Sequence, residues 1–135
     1  MNRRALAIGT IGLFVLWSAL DYVIHGLLLS PYYASTAGLF RPMEDMRMPL
    51  LYGTVLVGAL GYTLLYGLGG ARAALRDSLL FGLWFGLATG FGMGFGTYAT
   101  MPIPLEIAWG WFLGSLVESI AAAVLLHWAF RPKAA

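Results

Sequence analysis

The sequence predicts an all-α protein, a polytopic membrane four-helix bundle with both termini in the cytoplasm. Of its 135 residues, 60% are hydrophobic and 10% are charged, whereas a soluble domain carries about 25% charged residues. Four apolar runs are each long enough to cross a bilayer core, which needs about 20 helical residues. The remaining segments are short connections, so we expect a single transmembrane domain over 1–135.

The predicted spans cover roughly residues 5–29, 49–69, 78–97 and 105–130. Each run is continuously apolar, whereas a membrane β-barrel would show segments of about ten residues that alternate apolar and polar side chains. The runs therefore favour helices. The chain has no cysteine, which excludes disulfides and thiolate chemistry.

The first span begins at "MNRRALAIGTIGLFVLWSAL", which has the layout of a signal peptide but lacks a small-x-small cleavage site. We predict an uncleaved span with its two arginines in the cytoplasm. With that orientation, six of the eight basic residues lie inside, which indicates a bacterial inner-membrane protein with both termini inside. The inner residues are Arg3, Arg4, Arg72, Arg76, Arg131 and Lys133, and the outer ones are Arg41 and Arg47. Because the basic residues lie at span ends, they are topology signals, and we expect no nucleic-acid partner.

Glycines recur every fourth residue in the third and fourth spans. Glycine lowers helix propensity by about 1 kcal/mol, but small residues let membrane helices approach closely. The stripe in the third span continues into alternating glycines at 90–96, which predict a kink at that end. The stripes predict either tight packing inside the bundle or contact with other subunits. The helix-packing candidates are Gly82, Gly86, Gly90, Gly110 and Gly114.

Ionisable residues inside the apolar runs are the main functional candidates. Ser18, Asp21 and His25 follow one helix face of the first span. Glu118 lies at mid-depth in the fourth span, and we expect it to face Asp21. Such a group either locks helix register or relays protons or holds a cation. Tyr22 borders this face, and Glu106 extends the predicted column to the outer boundary. We predict no metal site, since the spacing of these residues matches no metal-binding signature.

His127 lies near the inner end of the fourth span, four residues after Ala123. This small-x-x-x-His spacing resembles the pigment-ligating turn of bacterial light-harvesting antenna polypeptides. The resemblance implies a pigment or haem ligand at His127. Independently of the resemblance, His25 is a second candidate for such a ligand. The alternative is an interfacial histidine beside a tryptophan, and we expect no cofactor.

The stretches "LWSALDYVIHGLLLSPYY", "FGLWFGLATGFGMGFG" and "AWGWFLGSLVESIAAA" together resemble small four-span bacterial inner-membrane proteins of uncharacterised function. This resemblance implies a fold and a location but no activity. The sequence contains no nucleophile–base motif and no phosphate-binding loop, so we expect no enzyme. The first function hypothesis is a bundle that associates through its glycine faces, as a homo-oligomer or as a subunit of a larger membrane complex. The second is a small transporter or ligand-binding protein that uses the Asp/His/Glu cluster.

Overall fold

The computed structural model describes residues 3–36, 38–69 and 74–131. Two basic residues that contribute to the predicted topology, Arg72 and Lys133, lie outside these ranges. The described part of the chain is all-helical and has no strands. This confirms the predicted all-α class.

Four helices are long and apolar enough to span a membrane, which indicates a multi-pass membrane protein. Their ends lie within three residues of the predicted spans. We call them the first to fourth long helices in chain order. They cover Arg3–Leu28, Met48–Leu68, Leu75–Thr100 and Leu105–Ala129.

The long helices alternate in direction, so the bundle has two distinct ends. We call the end that holds Arg3 and Arg131 the termini end. The opposite end, called the loop end, holds the connections after the first and third long helices. The first of these connections contains two short helical segments, Ser30–Ala34 and Met43–Asp45.

Two of the long helices contain a π-helical segment near the loop end. The first is π-helical over Tyr22–Leu28, directly after Asp21, and the third over Gly92–Gly96. The glycine-rich sequence predicted an irregularity in the third helix, but the segment in the first helix had no such signal. π-Helical segments often occur at functional sites, because they redirect side chains.

The glycine stripe of the third long helix packs against the fourth helix of the same chain. A methyl group built on Gly86 would lie 2.9 Å from the Cα atom of Leu116, and one on Gly82 would lie 2.6 Å from the carbonyl oxygen of Ser119. Gly90 likewise faces Ser115. These contacts are too close for any side chain, so this face is used within the bundle.

The second glycine stripe, on the fourth long helix, packs against the first. Gly110 faces the side chain of Leu29, and Gly114 faces Ile24. Because the stripe continues at Glu118, the approach of the two backbones brings this carboxyl to the first helix. The fourth helix therefore lies between the first and the third.

The second long helix contacts mainly the first. Its residues Tyr62 and Tyr66 are fully buried. Tyr62 lies in an aromatic core near mid-bundle, and Tyr66 lies one turn closer to the termini end. Tyr62 makes edge-to-face contacts with Trp17 and Phe85, with ring centroids 5.5 and 4.8 Å apart. This core separates the polar groups at the two ends of the bundle.

Candidate functional site

A hydrogen bond joins His25 to the connection that follows the first long helix. The π-helical segment ends at Leu28, and the chain turns into the short helix Ser30–Ala34. This turn places the hydroxyl of Tyr33 2.6 Å from Nδ1 of His25, with the two rings stacked. The histidine is therefore held from outside its own helix.

Trp111 on the fourth long helix favours one direction for this bond. Its indole Nε1 donates to the hydroxyl oxygen of Tyr33 at 2.7 Å. An indole N–H can only donate, so Tyr33 accepts from Trp111, and the arrangement that also uses the single proton of Tyr33 has it donated to His25. In this arrangement Nδ1 of His25 is an acceptor, and the neutral ring carries its hydrogen on Nε2, facing Asp21.

Nε2 of His25 faces the carboxyl group of Asp21, one turn earlier on the first helix. The distance from Nε2 to Oδ1 is 3.7 Å, about 0.7 Å longer than a direct N–H···O bond. Both side chains are a little over one-third exposed. Tyr33, His25 and Asp21 therefore form an ordered series of polar groups from the loop end into the bundle.

Asp21 and Glu118 come together across the interface of the first and fourth long helices. Their carboxyl groups lie close enough to interact electrostatically. Two ionised carboxylates in this position repel each other, so a proton on one of the two relieves the repulsion. The arrangement can therefore store one proton between two helices.

Two further groups surround this carboxyl pair. Trp17 donates its indole N–H to the backbone oxygen of Glu118 at 3.0 Å, which fixes the height of the first helix against the fourth. Beyond the contact with Asp21, the carboxyl oxygen Oε1 of Glu118 is buried without a hydrogen-bond partner among the described residues, as is the hydroxyl of Ser18. The pair thus lies in surroundings that leave polar atoms unsatisfied.

An aromatic cap covers the loop end of this series. Phe40 makes edge-to-face contact with Tyr33 and Trp111, with centroids 5.1 and 6.3 Å apart. Burial under this cap raises the pKa of Tyr33, and the negative charge of Asp21 acts in the same direction, while the hydrogen bond from Trp111 opposes them. Tyr33 is therefore held in its neutral, proton-donating form.

The structure brings together some of the predicted site residues and separates others. Asp21, His25 and Glu118 lie in one series. We call this series, with Tyr33 and Trp111 added, the Asp21 network. Glu106 is exposed in the first turn of the fourth long helix. Within the described ranges it makes no hydrogen bond or ion pair with the network, so the column predicted through Glu106 is not formed. Tyr22 is 66% exposed.

The sequence pattern singles out neither Tyr33 nor Trp111. Aromatic residues near the ends of spans are typical of a membrane interface, where water can satisfy their polar atoms. One sequence feature points to Trp111: it follows Gly110, a residue of the stripe that packs against the first helix. This feature does not indicate which aromatic residue of the connection would bond to Trp111.

A second polar cluster lies at the termini end, around His127. Nε of Arg131 donates to Nε2 of His127 at 3.2 Å, and Nδ1 of His127 lies 3.2 Å from the hydroxyl of Ser78. Ser78 in turn lies 2.7 Å from the hydroxyl of Tyr66. His127, Ser78 and Tyr66 are at most 2% exposed. These residues come from three long helices and from the residue that follows the fourth helix closely. We call the set the His127 network: Tyr66, Ser78, His127 and Arg131.

Both ring nitrogens of His127 are engaged in this network. A haem or pigment metal at His127 would have to displace either Arg131 or Ser78. His25 is similarly engaged by Tyr33 on one nitrogen and faces Asp21 with the other. In the part of the chain that the structure describes, no group of three or more His, Asp or Glu side chains is arranged to hold a metal ion.

Comparison with protein-family models, with curated proteins and with solved structures finds no match for this chain.

Proposed function

We propose that this protein is a non-enzymatic membrane protein that takes up protons from the loop end and holds them on the carboxyl pair of Asp21 and Glu118. The observation that carries the proposal is the ordered series of contacts in the Asp21 network. Trp111 donates to Tyr33, Tyr33 bonds to Nδ1 of His25, and Nε2 of His25 faces Asp21 across 3.7 Å, beside the carboxyl group of Glu118.

Proton transfer through the histidine follows from its tautomer. As Nδ1 accepts the proton of Tyr33, the hydroxyl oxygen takes up another proton from the loop end, so the phenol stays neutral and the ring becomes cationic. Loss of the Nε2 hydrogen to Asp21 restores a neutral ring. One N–H bond forms and one breaks, so the histidine returns after tautomer exchange without net change.

A simple lock on helix register is the competing explanation of the carboxyl pair. Register is already fixed by close contacts at Gly110 and Gly114 and by the Trp17 bond to the backbone of Glu118. A lock on helix register also does not require a histidine such as His25, which faces the Tyr33 hydroxyl with one nitrogen and the Asp21 carboxyl group with the other. The ordered series therefore favours proton handling over packing alone.

The glycine faces support bundle folding more than association. The residues that suggested an oligomer, Gly82, Gly86 and Gly90, face the fourth long helix of the same chain. An association with further copies, or with subunits of a larger membrane complex, would have to use other surfaces. We therefore place proton handling before association as the function of the cluster.

For location, we propose the bacterial inner membrane with both termini in the cytoplasm and the loop end outside. The proposal rests on the excess of basic residues near the termini end, where Arg3, Arg4, Arg76 and Arg131 lie. In this orientation the Asp21 network opens toward the outer surface.

The test is infrared difference spectroscopy of the purified protein in lipid vesicles after a pH jump. We expect a carboxylic C=O band from the Asp21–Glu118 pair, together with proton uptake measured by a dye in the medium. The double variant Asp21→Asn with Glu118→Gln should lose both signals while folding normally, because amides keep hydrogen bonding without a titratable proton.

The matched control is Glu44→Gln, which removes an exposed carboxyl group from the loop-end connection. It should leave the band and the uptake unchanged. Proton uptake that persists in the double variant would overturn the proposed function and leave the pair with a packing role.

A further inference from the structure

The His127 network resembles the Asp21 network in its direction. An obligate N–H donor, Arg131, lies nearest the termini end and donates to Nε2 of His127. The neutral ring therefore carries its hydrogen on Nδ1, which faces Ser78 inside the bundle. In both networks, the histidine presents its N–H group to the interior.

We propose that the His127 network is the second proton port of the bundle, so that protons cross the membrane rather than being stored only at Asp21 and Glu118. This inference rests on the proposed function of the Asp21 network. It adds a second site, with a proton as the ligand, at the opposite membrane face.

Arg131 acts as the gate of this port. Its guanidinium group lies over the exposed ring of Trp128, 3.8 Å from the ring centroid, while its Nε occupies Nε2 of His127. Nε2 cannot accept a proton until Arg131 moves away. When it does, a proton bonds to Nε2, and the ring holds it as an imidazolium whose Nδ1–H group stays on the oxygen of Ser78. Release of the Nδ1 proton to an acceptor in the core then restores the neutral ring.

The two ports are separated by the aromatic core at mid-bundle. Tyr66 lies one turn from Tyr62 on the second long helix, and the hydroxyl of Tyr62 donates to the backbone oxygen of Ser119, the neighbour of Glu118. A backbone carbonyl oxygen cannot pass on a proton that Tyr62 donates to it. Protons therefore cross between the two ports only when the core rearranges.

The experiment measures proton flux into lipid vesicles that contain a trapped pH dye, driven by a potassium diffusion potential with valinomycin. We expect flux in the wild-type protein. His127→Gln keeps hydrogen-bonding capacity but does not titrate, so flux should fall at least about tenfold. Arg131→Ala should raise it, because the gate is removed.

Opposite effects of these two variants would not result from a structural role, since both remove a contact of the same network. Ser78→Ala should also reduce flux. Its control is Thr89→Val, which removes a hydroxyl that donates to the carbonyl of Phe85 on its own helix. Each variant is checked for unchanged particle size and thermal stability.

The failures of the two proposals are distinguishable. If the wild-type protein shows the carboxyl band and proton uptake but no flux, or if His127→Gln conducts as well as wild type, the second port is wrong and the proposed function stands. If the wild-type protein takes up no protons at Asp21 and Glu118, both proposals are wrong.

Discussion

The hydroxyl group of Tyr33 lies 2.6 Å from Nδ1 of His25, although the two residues belong to different helices. The contact depends on the π-helical segment Tyr22–Leu28 and the turn that follows it. A residue outside the long helices thus sets the tautomer of a histidine inside one of them.

Tyr33→Phe is expected to destabilise the fold at the loop end. The change leaves the N–H group of Trp111 without its acceptor and Nδ1 of His25 without its donor, at a cost of about 1–3 kcal/mol. The free energy of unfolding in detergent measures the loss. The matched control Tyr32→Phe removes an exposed neighbouring hydroxyl and should change it by less than about 0.5 kcal/mol. Equal effects of the two changes would argue against the Tyr33 bond.

The four long helices could be predicted from the sequence because apolar length alone identifies a membrane span. The ends were less certain, and the third helix begins at Leu75, three residues before the predicted span. Its first turn contains Arg76 and Asp77, which a hydropathy criterion excludes although a helix accommodates charges at its end.

The contacts of the site could be predicted where the depth of a residue and its helical spacing determine which side chains meet. They could not be predicted where a connection folds back onto the bundle. Asp21 and Glu118 lie at similar depths and on packing faces, so their proximity followed from the sequence. Tyr33 is brought to His25 by a π-helical segment that has no sequence signature here. Glu106 was placed in the column by depth alone, but it lies on the exposed side of its helix.

Gly86→Ala is expected to destabilise the bundle by about 1–3 kcal/mol, because overpacking a close helix contact forces the backbones apart. A methyl group at this position would meet the Cα atom of Leu116. The control is Gly61→Ala, since a methyl group there has open space around it and should stabilise the helix by up to about 1 kcal/mol. Thermal unfolding of both variants measures the difference, and a harmless Gly86→Ala would contradict the packing described for the third and fourth helices.

The stability contributed by the Tyr33 bonds should decrease in alkaline solution. Burial raises the pKa of Tyr33, so the folded protein keeps this proton after the unfolded chain has lost its own. The contribution is therefore complete below about pH 10, the ordinary tyrosine value, and is lost as pH rises through the raised pKa. The difference in unfolding free energy between wild type and Tyr33→Phe, measured from about pH 8 to about pH 12, should stay constant up to about pH 10 and shrink above it. A difference that stays constant would show that Tyr33 ionisation is not linked to folding.

Membrane topology is tested by reporter fusions. A fusion after Arg131 should be active with a cytoplasmic reporter and inactive with a periplasmic one, and a fusion within the connection near Arg41 should give the opposite result. The expectation follows from the excess of basic residues at the termini end. Periplasmic activity after Arg131 would reverse the orientation and turn the Asp21 network toward the cytoplasm.

Trp111→Phe should remove the direction of the Asp21 network while leaving its residues in place. Without the indole donor, the hydroxyl of Tyr33 is free to accept a hydrogen from Nδ1 of His25, so both neutral tautomers become populated. The ¹⁵N chemical shifts of the His25 ring measure the tautomer, with His127→Gln used to assign the signals. In the wild-type protein the His25 ring should carry its hydrogen on Nε2, and proton uptake at the carboxyl pair should slow in the variant.

The control is Trp109→Phe. Trp109 is an exposed tryptophan on the same helix whose ring packs on Phe95, so its replacement should leave the tautomer unchanged. A wild-type ring protonated on Nδ1 would mean that Tyr33 accepts from His25, and the inward direction on which proton uptake depends would be lost.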